Sequence, residues 1–348
     1  MIGGLYWAVI VWNSCGSIEA AARLTPGNSK VVTFRPTLHN LIVSASVVGA
    51  LVVAALPGAA GAQGRLEASY TANLGGLLIG SGGLVVDLGT REYRASGNGR
   101  VDGLMQILST TQGVIAAEGH VNRDRLSPGL YQASVTANKF DYDVRMVLQS
   151  GNVKDLVAEP PLVPAPDRVP LTDTHRRGVL DPATAILMPV AGSGDVLGSA
   201  ACERTLPIFD GHQRFNLVLR FRRVENVKAE VGYQGPAVVC NAAYQPVAGH
   251  RPGRYAIRYM QEQKNIEIWL APIAGTRVLA PFRVAVPTML GALVIEARRF
   301  ETVAISGPVR ARNRPPLRSG ADELSADQPQ TQAGNDETAR IAARPTTR

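Results

Sequence analysis

The chain has 348 residues, of which 45% are hydrophobic and only 5% aromatic, with 35 glycines and 23 prolines. That apolar fraction supports a filled core and excludes a wholly disordered chain, while the glycine and proline content suits turns and strands better than a helical bundle. The formal net charge of +8 is dispersed over Arg23, Lys30 and Arg35 near the start, Arg310, Arg312, Arg314 and Arg318 near the end, and alternate strand positions such as Arg220 and Arg222; no aromatic platform is interleaved with these cations, so no nucleic-acid partner is expected.

In chain order, the first signal is one of address. Arg35 and His39 precede an apolar run from Leu41 to Leu56, Pro57-Gly58 breaks it, and Ala60-Gly61-Ala62 places small residues where a signal peptidase reads. Residues 31–62 therefore read as a signal peptide cleaved after Ala62, and 1–30, with the weaker apolar stretch MIGGLYWAVIVW, as a non-native upstream extension, translation beginning near Val31 or Val32. A membrane anchor is the rival reading, but Ser44, Ser46 and Gly49 interrupt the run, and it is shorter than the ~20 apolar residues a spanning helix needs. The expected address is the periplasm, with no stable membrane anchor after cleavage. Cys15 falls in the segment expected to be lost, which leaves Cys202 and Cys240 as an even pair with a single intramolecular pairing. Two buried thiols or half a metal site are the rivals, yet there is no CxxC and the five histidines are scattered, so no metal is expected.

From Ala68 onward the period is two. Leu84, Val86 and Leu88; Tyr142, Val144, Met146 and Leu148; and Phe215, Leu217, Leu219 and Phe221 each alternate with polar or smaller neighbours, the mark of half-buried antiparallel strands. Similar pieces occur at Tyr255–Tyr259, Ile266–Leu270, Phe282–Val286 and Leu293–Phe300. Asp210-Gly211 predicts a hairpin between Leu206–Phe209 and Phe215–Arg222, with further turns at Gly97–Gly99 and Gly151-Asn152. The glycine-rich stretch Gly75–Gly83 lacks both the Lys of a phosphate loop and the GxGxxG spacing, and reads as a bent or bulged strand pair. Two short helices are expected: Val101–Ser109, which is equally readable as a strand, and Ala183–Met188, capped by Asp181 with Pro182 at its first position and stopped by Pro189. The proline-rich segment 159–170 reads as an ordered crossover between two sheet halves, and the polar residues 307–348 as a disordered tail. The expected fold is a single mainly β domain, 63–306, built on a curved antiparallel sheet with one or two short helices.

These elements resemble a family of uncharacterised bacterial envelope proteins, DUF3108. The resemblance rests on Tyr70-x-Ala72 with Gly75–Gly83, on Tyr93 and Gly103-Leu104, on Asp181-Pro182, on Phe209-Asp210-Gly211, and on Ile268-Trp269-Leu270-Ala271-Pro272 before Leu279-Ala280-Pro281-Phe282-Arg283. The cysteine pair around Phe209-Asp210-Gly211 and Tyr233-x-Gly235 is also similar to alphaproteobacterial periplasmic β-spiral proteins that support cell-envelope integrity. That likeness implies that the sheet forms a spiral or partly open barrel with a helix against it, and brings no catalytic residue.

Chemistry is sparse. His120, His175, His212 and His250 have no partner at metal-ligand spacing and read as surface or turn residues, and His39 lies in the signal region. There is no GxSxG elbow, and Ser193 lacks the strand and helix such a nucleophile needs. Asp141 and Asp143 share a strand face and Asp210 neighbours His212, positions that solvation accounts for. Trp269, Phe221 and Tyr259 are the candidate rings for a ligand cavity, with core packing the plainer role for Trp269. The expected function is a noncatalytic periplasmic cell-envelope protein, without cofactor, that binds a lipid or other amphipathic ligand or an envelope partner protein, or serves a purely structural role. The alternative is a hydrolase acting on cell-envelope material.

Overall fold

A computed structural model describes residues 63–102, 111–122, 125–137 and 140–305. The signal region, its Ala62 cleavage point and the tail lie outside the described residues. So does most of Val101–Ser109, of which Val101 ends a strand.

One sheet contains every strand. Seven consecutive strands form its first part: β1 (Gly64–Leu74), β2 (Leu77–Leu88), β3 (Glu92–Val101), β4 (Gln112–Asn122), β5 (Arg125–Ala137), β6 (Phe140–Gln149) and β7 (Asn152–Glu159). The second part holds β8 (Met188–Pro189), β9 (Arg204–Phe209), β10 (Arg214–Lys228), β11 (Val231–Gly232), β12 (Gln234–Ala248), β13 (Ile266–Pro272), β14 (Val278–Thr288) and β15 (Gly291–Ala304). The hydrogen-bonded path runs β7-β6-β5-β4-β3-β2-β1-β15-β14-β13-β12-β10-β9. The two meanders thus meet where the first strand pairs antiparallel with the last, Ala68 opposite Phe300. All pairings along this path are antiparallel, and only the two-residue β11 runs parallel to β15.

The sheet curls until its two ends approach. The carbonyl of Gly151, at the β6–β7 turn, accepts the Val179 N–H at 2.7 Å, and Leu180 bridges in parallel to Ile208 of β9. A single strand-like segment at 179–180 therefore touches both halves without closing the ladder. This is the partly open barrel that the family likeness implies, built from the antiparallel strands that the alternation predicts, and the edge of β9 is covered rather than bare. The crossover leaves β7 at Glu159, turns at 165–168, where the Arg168 N–H donates to the Ala165 carbonyl and Asp167 pairs with Arg251, and exchanges backbone bonds with Gly249 and His250, just past β12, through Val169.

The interior face carries the alternating apolar positions. Leu84, Val86 and Leu88, then Tyr142, Val144, Met146 and Leu148, then Phe215, Leu217 and Leu219 are all buried. Phe282, Phe300 and Tyr233 form a tilted ring cluster with centroids 5.6–6.4 Å apart, beside the junction of the two halves. The fully buried Phe282 and Phe300 rings contribute roughly 1.5–3 kcal/mol each from area alone, and the half-buried Tyr233 less.

Three expectations are corrected. Tyr255–Tyr259 is not a strand but the start of a helix, Tyr255–Glu262, here α2; the spacing that alternates Tyr, Ile and Tyr also places Tyr255 and Tyr259 at i and i+4, and their rings meet at 5.8 Å. Gly97–Gly99 is not a turn but lies inside β3, paired on one side with Gly82, Gly83 and Leu84 and on the other with Gly113, Val114 and Ile115. The glycines there permit close approach: a Cβ on Gly82 would sit 2.5 Å from the Asn98 carbonyl oxygen. The helix read at Ala183–Met188 is shorter, Pro182–Ala185, here α1, because Met188-Pro189 leaves it to pair with Val278 and Leu279 of β14.

Candidate functional site

The polar groups that matter are inside the curl, around α1 and the β9–β10 turn. Asp181 takes an extended backbone, φ −75° and ψ 161°, and Pro182 follows with its φ already suited to a helix. The Asp181 carboxylate uses both oxygens on one residue: Oδ1 accepts the Thr184 N–H at 2.8 Å and Oδ2 accepts the Thr184 hydroxyl at 2.5 Å. A threonine hydroxyl has one proton, so Tyr93 of β3, 2.6 Å away, must be the donor to Thr184. The result is a one-way chain, Tyr93 to Thr184 to Asp181, that ties α1 to the sheet. Asp181 is fully buried, and burial pushes its carboxyl up to about 6 against the hydrogen bonds from Thr184 that pull it down. Burial likewise raises the Tyr93 hydroxyl, with the Asp181 charge adding to it.

Asp210 occupies the hairpin turn. Gly211 has φ +103°, and a Cβ there would lie 3.0 Å from a methyl of Val144 on β6, so the turn needs glycine for both backbone and space. One Asp210 oxygen accepts the N–H groups of His212 and Gln213 at 2.8 and 2.6 Å. Burial raises this carboxyl too, with the Gln213 N–H and the neighbouring His212 working the other way. The His212 ring spans the ends of the sheet: Nε2 donates to the Pro160 carbonyl at 3.0 Å, and Nδ1 is hydrogen-bonded to the Tyr142 hydroxyl at 2.9 Å. The Tyr142 hydroxyl also lies 3.3 Å from the Asp210 carbonyl. Strand β6, the crossover and the β9–β10 hairpin are joined at this one point. Tyr142→Phe is expected to lower stability by about 1 kcal/mol while leaving the fold intact, read from the urea midpoint.

Between these two acidic positions lies Tyr131 of β5, fully buried, whose hydroxyl has no hydrogen-bond partner. Burial drives its ionisation well up, reinforced by the charges of Tyr142, Asp181 and Asp210. An unpaired buried hydroxyl costs about 1–3 kcal/mol.

Chemically the arrangement consists of struts. Both Asp181 oxygens and both His212 nitrogens are engaged within the protein, and one oxygen of the Asp210 carboxylate holds the backbone N–H groups of its own turn. Among the described residues no group of three or more His, Cys, Asp or Glu could hold a metal ion. Asp210 and His250, read from the sequence as solvated turn residues, are both buried; the hairpin that carries Asp210 is folded inward against β6, and burial lowers the His250 imidazole. Asp141 and Asp143 do share an exposed face of β6, while His120 and Ser193 are exposed and His175 is half-buried.

The remaining candidates occupy separate settings. Cys202 and Cys240 form a disulfide, with Cα atoms 5.4 Å apart, linking the short segment that leads into β9 to the middle of β12. Trp269 lies on the β13 face that carries Glu267, buried between the guanidinium groups of Arg283 and Arg223 at 4.8 and 5.6 Å, a cation–π stack. Phe221 is 37% exposed, because a bulge between Phe221 and Arg223 ends the inward phase of β10. Tyr259 sits on α2 against Tyr255. Tyr131 and Thr184 have no signal in the sequence beyond a strand phase or a helix turn, and Tyr93 stands out there only as part of the family resemblance.

A sequence profile described as "Protein of unknown function (DUF3108)" matches residues 69–298. A crystal structure of a β-barrel-like protein of a domain of unknown function, DUF1849, from Brucella abortus is 9% identical, with 69% of this chain and 98% of that chain covered at a TM-score of 0.39. No curated protein matches.

Proposed function

Since the chain belongs to the DUF3108 family of proteins of unknown function, we propose that it is a noncatalytic, exported protein of the cell envelope, acting in the periplasm through binding to a lipid, another amphipathic ligand or an envelope partner. The observation that carries the noncatalytic part is the use made of its buried acids. Asp181 holds the N-terminus of α1 and Asp210 holds the β9–β10 turn, each through hydrogen bonds within the protein. General acid–base work needs a group within reach of a substrate proton, and these carboxyls face inward. The export part is supported by the disulfide, which persists in oxidising compartments, and by the Leu41–Ala62 pattern.

The test is complementation. A strain lacking the gene should be sensitised to envelope stress, and Asp181→Asn and Asp210→Asn chains that fold should restore resistance as the wild type does. A folded Asp210→Asn chain that fails to complement overturns the noncatalytic reading in favour of a hydrolase. N-terminal sequencing of the exported protein checks the address: a mature chain that still carries Trp7 sinks the proposed cleavage after Ala62.

A further inference from the structure

Exposed apolar side chains are normal when scattered and informative when gathered. Among the described residues, five of the eleven large hydrophobic side chains that are exposed gather at one rim of the curl: Leu77, Leu78, Tyr255, Met289 and Leu290. Two hairpin tips supply four of them. The β1–β2 turn at Gly75-Gly76 presents Leu77 and Leu78, and the β14–β15 turn presents Met289 and Leu290. The tips are locked side by side, since Gly75 N–H donates to the Ala292 carbonyl at 3.0 Å and a Cβ on Gly75 would lie 2.8 Å from the Leu290 carbonyl oxygen. The Tyr255 hydroxyl reaches the Met289 sulfur at 2.6 Å and brings the first turn of α2 alongside.

The second tip is a built structure rather than a loose loop. The Thr288 hydroxyl donates to the Gly291 carbonyl at 2.6 Å and accepts the Leu290 N–H at 3.2 Å, so Met289 and Leu290 are held outward at 63% and 68% exposure. The surroundings are cationic. Arg251 is paired with Asp167, and from there to Lys264 the chain carries Arg254, Arg258 and Lys264 against Glu262. Arg258, one turn beyond Tyr255, and Lys264 are exposed.

We propose that this rim docks the protein on an anionic lipid bilayer, with Leu77, Leu78, Met289 and Leu290 entering the boundary between headgroups and acyl chains while Arg258 and its neighbours meet lipid phosphates. A projecting apolar tip bordered by cations suits a soft, negatively charged surface. A second copy of the chain would bring the same cations face to face. The inference adds a lipid-contact surface to the envelope reading and rests on that reading only for where such a bilayer is met; vesicle binding is measured apart from complementation, so each can fail alone.

The experiment uses the purified full-length chain and vesicles of phosphatidylcholine with or without phosphatidylglycerol. The wild type should co-sediment with the phosphatidylglycerol vesicles and release as salt rises. A Leu77→Ser, Leu78→Ser, Met289→Ser and Leu290→Ser variant with the wild-type circular dichroism spectrum should lose roughly tenfold or more of its partitioning, and Arg258→Glu with Lys264→Glu should abolish the preference for phosphatidylglycerol. Because the full chain also contains the apolar run 41–56, Leu290→Trp locates the contact: brominated phosphatidylglycerol should quench emission beyond that of the wild type at equal binding. No binding, or binding with no added quenching, overturns the proposal. So does a dimer in solution that the four serine substitutions dissociate, which would assign the rim to a second copy.

Discussion

Replacing both Cys202 and Cys240 by alanine is expected to cost the folded state about 4 kcal/mol, the loop-closure entropy returned to the unfolded chain when a loop of this length is released. The bridge spans 38 residues. The native geometry around it is held by other bonds: Arg204 donates to the Pro189 and Ala200 carbonyls at 2.8 and 2.7 Å, and Glu203 accepts the Phe221 N–H at 2.9 Å. The folded state should therefore keep its shape, and the loss should appear as a lower urea midpoint with an unchanged spectrum. Against a total stability of roughly 5–15 kcal/mol for a domain, that is enough to make the reduced protein marginal. The reduced wild type should behave like the double variant. A loss below about 1 kcal/mol would show that the reduced, unfolded chain is already compact enough to make the loop cheap.

The parts of this molecule that were legible in its sequence are those governed by local rules. Alternation at Leu84–Leu88, Tyr142–Leu148 and Phe215–Leu219 reported the buried face because neighbouring side chains on a strand point to opposite sides, and those residues are buried. The Asp181-Pro182 cap and the Asp210-Gly211 turn were legible because capping and positive φ are satisfied within a few residues. What failed needed tertiary knowledge. The inward phase of β10 stops at Phe221 because of a bulge against β12, and nothing in Phe-Arg-Arg announces it. Tyr255–Tyr259 satisfied two periods at once, and packing of Ile257 into the core decided for the helix. The pairing of β1 with β15, the seam at Tyr142, His212 and Pro160, and the burial of Asp210 join residues far apart in the chain, which no local pattern encodes. The apolar tips at Leu77–Leu78 and Met289–Leu290 were visible as residues but not as neighbours.

The second large effect is on pH dependence, and its sign runs opposite to common acid denaturation. The Asp181 carboxyl stands at about 6 in the folded protein against 3.8 for an ordinary aspartate, because burial disfavours its charge. The native state therefore holds this proton more tightly than the unfolded chain. Its contribution to stability is fully present below about pH 4, declines as pH rises through 6, and is gone above; the shift amounts to about 3 kcal/mol. Asp210 is raised for the same reason and adds a slope of the same sign. His250, lowered by burial, acts the other way over this interval and offsets part of the slope; Asp167, lowered chiefly by its hydrogen bond from Arg251, has the same opposing sign, but it is solvent-exposed and screening leaves its effect small. The wild type should accordingly be more stable at pH 5 than at pH 7 in urea titrations. Asp181→Asn keeps an oxygen for the Thr184 N–H and has no charge to bury, so its profile over that interval should be flatter, with the remaining slope set by the opposed contributions of Asp210 and His250. An Asp181→Asn profile as steep as the wild type would show that the carboxyl is solvated or otherwise compensated. If the slope is found, the carboxyl at the end of the chain from Tyr93 through Thr184 is neutral in mild acid and charged at neutrality, and the burial of that charge, which the Thr184 hydrogen bonds offset only in part, is what costs the folded state stability as the pH rises from 5 to 7.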